Sequence, residues 1–204
     1  MSSSTPPLPV RPATVADAEA LAALVHSAYR SEESRSGWTT EADLVGGQRA
    51  DAAMVRHVVG LADNVVLAAF SEDGEPFACC HLERRETSAY LGMFAVRPGL
   101  QGRGVGRAML GAAERYAART WGATTLEITV LNHRPELMAW YERCGFTATG
   151  ERHEFPYGDQ RFGEPRRPDL ALLGMTRPVA PGGGPAERDA AGAATRDAAG
   201  AATR

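Results

Sequence analysis

The chain has 204 residues, of which 44% are hydrophobic, enough for one domain of ordinary size with a buried core. Its formal net charge of −3 argues against a nucleic-acid partner, because such a partner selects a basic face. The sequence has no apolar run long enough to cross a bilayer and no secretory signal at its start, so we expect a cytoplasmic protein without a membrane partner.

The predicted elements follow one another as in a mixed α/β domain. Helices are indicated by apolar residues at every third or fourth position, and strands by alternation or by β-branched runs. In chain order they are a strand at residues 10–11, a helix at 14–30, a helical region at 38–59 that is interrupted at 46–47, strands at 64–70, 76–83 and 88–96, a helix at 104–121, a strand at 125–130, a helix at 135–144, and strands at 146–155 and 169–176.

The two ends of the chain differ in composition from its middle. Residues 1–9 are rich in Ser and Pro, and from residue 178 a Pro/Gly stretch leads to an eight-residue repeat that begins at Arg188. Neither stretch has the apolar content to bury a core. We therefore expect a folded domain at residues 10–177, with disordered segments at 1–9 and 178–204.

The three cysteines suggest neither a metal site nor a disulfide framework. Their number is odd, and the sequence has no Cys-x-x-Cys pair. Cys79 and Cys80 lie in the middle of a predicted strand, where neighbouring side chains point to opposite faces. We expect them to be small core residues in a reducing compartment, and we expect no metal.

The stretch from residue 88 to residue 110 carries the most information, because a strand runs through a glycine-rich turn into a helix. Gly102, Gly104 and Gly106 have no Cβ atoms that would keep a large anion away from the backbone. The N–H groups and the dipole of the first helical turn favour an anion at the same place. Three cationic side chains lie in the same stretch: Arg97, Arg103 and Arg107. The pattern predicts a phosphate-binding turn.

Two common phosphate motifs do not fit this turn. A P-loop needs Gly-Lys-Ser/Thr, and the chain contains no lysine. The dinucleotide fingerprint needs a third glycine where Arg107 stands. In contrast, Gln101-x-x-Gly104-x-Gly106 resembles the pyrophosphate-binding signature of the GNAT N-acetyltransferase superfamily. The segments GWTTEADL, YLGMFAV and FPYGD are also similar to those of a group of bacterial GNAT proteins.

The resemblance covers residues 10–177 and implies an α/β (α+β) fold. The GNAT fold has a mixed, mostly antiparallel seven-stranded sheet, about four helices, and a cleft where the fourth and fifth strands splay apart. In this cleft the pantetheine arm of acetyl-CoA pairs with backbone groups, and the pyrophosphate binds at the turn. The resemblance thus assigns cofactor binding to Phe94, Ala95, Val96, Gln101, Gly102, Arg103, Gly104, Val105, Gly106 and Arg107.

A second motif supplies a candidate general acid. Tyr141 lies on a predicted helix that ends in Gly145-Phe146, and this resembles the GNAT helix whose tyrosine protonates the departing CoA thiolate. A phenol has a pKa of about 10, so it is neutral at pH 7 and donates a hydrogen bond. The alternative is that Tyr141 is only a packing residue of the core. In many family members, an asparagine at the position of Arg134 contacts the cofactor. Because this chain has an arginine there, we do not assign this contact.

The general base is predicted less directly. Some family members use a glutamate where this chain has Tyr90. Glu83 and His81 share one face of a predicted strand, and we choose Glu83, acting directly or through water. Glu127, His81 and water remain alternatives. Four aromatic residues fall in segments that line the acceptor cleft in the family, although each also fits loop packing: Trp38, Phe155, Tyr157 and Phe162.

Taken together, these features predict an acetyl-CoA-dependent N-acetyltransferase. The acetyl group passes to a primary amine, of a small molecule or a peptide, by direct attack in a ternary complex. No Ser-His-Asp or reactive-cysteine arrangement indicates a covalent intermediate. A non-catalytic acyl-CoA-binding module is the alternative, and a homodimer is left open.

Overall fold

The computed structural model describes residues 8–32, 34, 37, 39–47, 50–159 and 162–180. The helices within these residues are α1 (Ala18–Tyr29), α2 (Ala52–Val59), α3 (Val105–Trp121) and α4 (Pro135–Arg143). The strands are β1 (Arg11–Pro12), β2 (Val45–Gly46), β3 (Asn64–Phe70), β4 (Pro76–Arg84), β5 (Ser88–Val96), β6 (Thr125–Leu131), β7 (Thr147–Glu154), β8 (Glu164–Pro165) and β9 (Ala171–Pro178).

Seven strands form one mixed sheet in the order β1-β3-β4-β5-β6-β9-β7. Neighbouring strands are antiparallel except for β5 and β6, which are parallel. The expected seven-stranded, mostly antiparallel sheet and its four helices are confirmed.

The helices cover both faces of this sheet and enclose two hydrophobic cores. On one face, Leu21 and Val25 of α1 pack with Val66 of β3. On the other face, Met109 of α3 packs with Leu82 of β4. Because successive strand residues point to opposite faces, the buried sheet contributes side chains to both cores.

The cysteines are core residues, as expected. Cys79, Cys80 and Cys144 are free and buried. Cys79 belongs to the core under α1 and Cys80 to the core under α3. Burial raises the pKa of Cys79 to about 12, so this thiol stays protonated.

The region predicted as helical at residues 38–59 differs in the structure. Of the residues described in this region, those at Ala52–Val59 form a helix, and Asp51 caps it by accepting a hydrogen bond from the Met54 N–H at 2.7 Å. Before it, Val45 and Gly46 pair with Pro165 and Glu164 as a separate two-stranded sheet. Strands of two residues are too short to leave an alternation pattern, so the sequence did not indicate them.

The C-terminal boundary of the domain lies beyond residue 177. Strand β9 continues to Pro178, and Val179 is buried in the core under α3. The Val179 N–H donates to the Thr124 carbonyl at 2.8 Å. The folded unit therefore includes residues up to 179, whereas residues 1–7 and 181–204 lie outside the described part of the chain.

Candidate active site

Strands β5 and β6 separate after three residue pairs. The parallel pairing joins Ser88–Tyr90 to Thr125–Glu127. Farther along β5, Met93 has a φ of 43°, and the register with β4 shifts between Cys79 and His81. Such an irregularity bends a strand and increases its twist. The predicted splay is thus present, and it leaves an open edge along the end of β5.

The backbone at the end of β5 presents alternate residues to this edge. The Arg97 N–H donates to the Phe77 carbonyl beside β5 at 2.9 Å, so the backbone groups of Ala95, two residues earlier, also face β4. The Phe94 carbonyl instead accepts a hydrogen bond from the Tyr29 hydroxyl, and the Val96 carbonyl accepts one from Gln101 Nε2 at 3.0 Å. Since strand backbone groups alternate between edges, the N–H groups of Phe94 and Val96 face the open edge.

The glycine-rich turn leaves open space in front of the N-terminus of α3. Gly102 and Gly104 have φ values of 75° and 84°, the left-handed region that favours glycine. A Cβ added to either residue would meet no atom within 4 Å. The first bond of α3 runs from the Ala108 N–H to the Gly104 carbonyl at 3.0 Å, so the amides of Val105–Arg107 precede it. This turn fits a phosphate group.

A cavity of about 420 Å³ extends from this turn to α4. Of the residues predicted to bind cofactor or act in catalysis, those that line it are Phe94, Val96, Gln101, Gly102, Gly104, Gly106, Arg107 and Tyr141. Ala95, Arg103 and Val105 do not line it. Two cationic side chains, Arg107 and Arg143, and one carboxylate, Glu136, are part of the lining.

Tyr141 closes the inner end of this cavity. Its side chain is buried, and its ring lies 4.9 Å from that of Trp140 and 5.3 Å from that of Phe146. Burial raises the pKa of Tyr141 well above its ordinary value of 10. The phenol is therefore a proton donor throughout the neutral range.

A second cavity, of about 230 Å³, meets the first at Tyr141. The residues that line both are Tyr29, Phe94, Leu137 and Tyr141. Of the four aromatic residues considered for an acceptor cleft, Phe155 and Phe162 line the second cavity. Tyr157 does not, because its hydroxyl donates to the Arg167 carbonyl at 2.9 Å, and Trp38 lies outside the described residues.

His81 contributes a nitrogen base to the second cavity. Its Nε2 lies 2.6 Å from Asn64 Oδ1, which only accepts, so Nε2 carries the proton and Nδ1 the lone pair. A Cβ added to Gly92 would lie 3.6 Å from Nδ1, and both residues line the cavity. Burial lowers the pKa of His81 below 6.5, so the imidazole is neutral at pH 7.

Glu83 and Glu127 lie elsewhere. Their carboxylates flank Arg85, at 3.6 Å and 2.6 Å from its guanidinium nitrogens. Neither residue lines either cavity, and the Glu83 side chain is 42% exposed. Glu83 does share a strand face with His81, but it stands two residues farther along, about 7 Å away.

Comparison with known proteins agrees with this geometry. The sequence model of the acetyltransferase (GNAT) family matches residues 21–146. The chain belongs to the GNAT acetyltransferase family. It is an acetyltransferase by family and by fold, and the family uses acetyl-CoA as the donor. No curated protein matches the chain.

Solved structures of GNAT acetyltransferases share the fold. A nourseothricin acetyltransferase is 26% identical, with 58% of this chain and 67% of that chain covered and a TM-score of 0.50. The ribosomal-protein-S18-alanine N-acetyltransferase from Escherichia coli is 17% identical, with coverage of 84% and 94% and a TM-score of 0.59. A PaiA N-acetyltransferase from Thermoplasma acidophilum, in complex with coenzyme A, is 16% identical, with coverage of 83% and 98% and a TM-score of 0.57.

Arg134 has a structural role in this GNAT site that the sequence did not indicate. Its side chain is 4% exposed, and it donates to the Thr39 carbonyl at 3.1 Å and to the Glu136 carboxylate at 2.5 Å. Gln101 Nε2 donates to the Thr39 hydroxyl at 2.9 Å. Arg134 and Gln101, which are distant from Thr39 in sequence, thus fix Thr39 in the lining of the first cavity. No local sequence pattern predicts such contacts.

A buried ion pair between Arg30 and Glu41 was also not predicted from the sequence. The two side chains are 3% and 8% exposed, and Arg30 Nη2 lies 3.3 Å from Glu41 Oε2. Arg30 also donates to the carbonyls of Val45 and Gly46.

Within the described part of the chain, no group of three His, Cys, Asp or Glu side chains converges as metal ligands, and no helix is long and apolar enough to span a membrane.

Proposed function

We propose that the protein transfers an acetyl group from acetyl-CoA to a primary amine by direct attack within a ternary complex. The observation that carries this proposal is the position of Tyr141, a buried phenol where two cavities meet. One cavity begins at a turn suited to pyrophosphate, and the other is separate space for an acceptor. A module that only binds acyl-CoA would have no use for the second cavity.

The first cavity is the donor site in this proposal. The pyrophosphate of acetyl-CoA lies on the amides at the start of α3, where the helix dipole and Arg107 favour its charge. The pantetheine arm runs along the open edge of β5 and pairs with the N–H groups of Phe94 and Val96. Ala95 contributes by holding β5 to β4 rather than by contacting the donor.

The chemical step moves one proton from nitrogen to sulfur. The amine nitrogen attacks the thioester carbonyl, so a C–N bond forms and the C–S bond breaks. A backbone N–H at the end of β5 polarises the carbonyl oxygen. Tyr141 gives its proton to the departing thiolate, and the proton that leaves nitrogen goes to a base.

His81 is the base in this proposal, in place of Glu83. His81 lines the acceptor cavity, its Nδ1 is on the side of Gly92, and its Nε2–H donates to Asn64. Glu83 is paired with Arg85 outside both cavities. Transfer of an ammonium group from water into this cavity also lowers the pKa of the group, which eases formation of the attacking neutral amine.

Thiol release from acetyl-CoA in the presence of an amine library tests the proposal. Turnover that depends on the amine, with the acetylated amine identified by mass spectrometry, is the expected result. Initial-rate patterns in which both substrates must bind before product leaves would support direct attack. Binding of CoA by calorimetry without turnover on any amine would contradict catalysis and favour the non-catalytic alternative.

A further inference from the structure

The wall of the second cavity is mixed, and polar groups contribute almost half of its surface. More than half of the described residues that line it are aliphatic or aromatic. They include Val45 of β2, Ile128, Val130 and Leu131 of β6, Phe155 directly after β7, and Leu172 of β9. An acceptor that lies against these residues removes apolar surface from water over that part of its length.

The charged groups of this wall neutralise one another. Arg30 and Glu41 form the buried ion pair described above, and Arg30 is further engaged by two backbone carbonyls. His81 is a neutral imidazole because burial lowers its pKa, and its Nε2–H donates to Asn64. Among the described lining residues, no other side chain carries a charge. A second charge on the acceptor would thus lose its hydration without gaining a partner.

The size of the cavity limits the acceptor further. An apolar protein cavity of about 150 Å³ holds one benzene molecule. A volume of about 230 Å³ accommodates one ring with a short chain, or an alkyl chain of roughly six to eight carbons. The amine must reach Tyr141, since both cavities meet there, so the apolar body extends away from that point.

We propose that the acceptor is a small aryl- or alkylamine that carries a single amino group and no other charge. This inference rests on the proposed acetyl transfer and names its substrate class. Simple amino acids and polyamines are excluded by their second charge, and peptides by their size and polar backbone.

A matched amine series tests the inference on the unmodified full chain. Thiol release from acetyl-CoA is measured with propylamine, butylamine, hexylamine and 2-phenylethylamine. Each added methylene is expected to raise kcat/KM about fourfold up to hexylamine. Two analogues of hexylamine, 1,6-diaminohexane and 6-aminohexanoate, differ from it by one terminal charge, and each is expected to react at least about 100-fold more slowly.

One substitution should weaken the expected preference. Leu172→Glu places a carboxylate in the cavity wall from a half-buried position on β9. The preference for hexylamine over 1,6-diaminohexane should fall at least tenfold, because the distal ammonium gains a partner. The control is Leu173→Glu, whose side chain points to the opposite face of the strand and does not line the cavity.

The outcomes separate this inference from the proposed function. If 1,6-diaminohexane, 6-aminohexanoate or a tetrapeptide with a free N-terminus reacts as fast as hexylamine, the acceptor class is wrong and acetyl transfer stands. If no amine releases thiol, the proposed function itself is wrong. The amine series on the unmodified chain gives this answer even if Leu172→Glu does not fold.

Discussion

In the proposed mechanism, the Tyr141 phenol and the His81 imidazole carry out the two proton transfers. Tyr141 is buried with a raised pKa, and His81 is half-buried with a lowered pKa. Burial disfavours the charged form of each group, so both are held neutral at pH 7, one as a donor and the other as an acceptor. Two groups whose pKa values are pushed apart are the usual arrangement of an acid and a base.

Removing the phenol oxygen should slow the chemical step. We expect Tyr141→Phe to lower kcat at least tenfold, since general acid catalysis typically contributes about 10²–10⁴-fold. The ring contacts with Trp140 and Phe146 are kept, so CoA affinity by calorimetry should not change. Tyr116→Phe is the control, because Tyr116 packs on Trp121 away from both cavities. Full kcat in Tyr141→Phe would show that Tyr141 is only a core residue.

The pH profile separates His81 from Glu83. A base must be unprotonated, so kcat/KM should fall as the pH drops through the pKa of His81, which lies below 6.5. His81→Gln should lower activity and remove this acidic limb. Glu83→Gln should keep activity and move the limb to slightly lower pH, because the Glu83 charge raises the pKa of His81. If Glu83→Gln loses the acidic limb and His81→Gln keeps both the limb and full activity, the base is Glu83 and not His81.

At the scale of elements, the donor site depends on how α3 begins. The turn gives access to the first helical amides, and Gly106, one residue inside the helix, faces the cavity. A Cβ on Gly106 would lie 3.4 Å from Trp140 and 3.8 Å from Phe94, so a larger side chain must extend into the space of the donor.

Filling this space should weaken donor binding. We expect Gly106→Val to raise the Kd for CoA at least tenfold by calorimetry, with little change in the melting temperature. Gly111→Val is the matched control in the same helix, since a Cβ there meets only the mobile end of Arg115, at 3.3 Å. Native CoA affinity in Gly106→Val would mean that the pyrophosphate lies elsewhere.

Elements with strong local signals were predicted closely, and those held by distant contacts were not. The strand at residues 88–96 and the helix that Gly122 ends, where φ is 66°, follow from alternation, periodicity and a glycine cap. The β2–β8 pair and the Arg134–Thr39 contact join segments far apart in the chain. Alternation gave His81 and Glu83 the same face, but only the fold shows which of them reaches the cavity.

At the scale of the whole molecule, the site is assembled from both layers of helices. Tyr29 belongs to α1 on one face of the sheet, and Tyr141 belongs to α4 on the other. They meet because the splay between β5 and β6 opens the sheet between them, and both line the two cavities. Activity therefore depends on the integrity of the sheet, including its last strand.

Two truncations that differ by three residues test where the folded unit ends. A cut after Ala180 removes a stretch poor in large apolar residues, and we expect no change in melting temperature. A cut after Arg177 also removes Pro178, which pairs with Thr125, and the buried Val179 with its hydrogen bond to Thr124. This loss should cost about 2–4 kcal/mol and lower the melting temperature by roughly 5–10 °C. Equal melting temperatures for the two truncations, measured by calorimetry, would mean that Val179 adds nothing to the core and that the domain ends at residue 177.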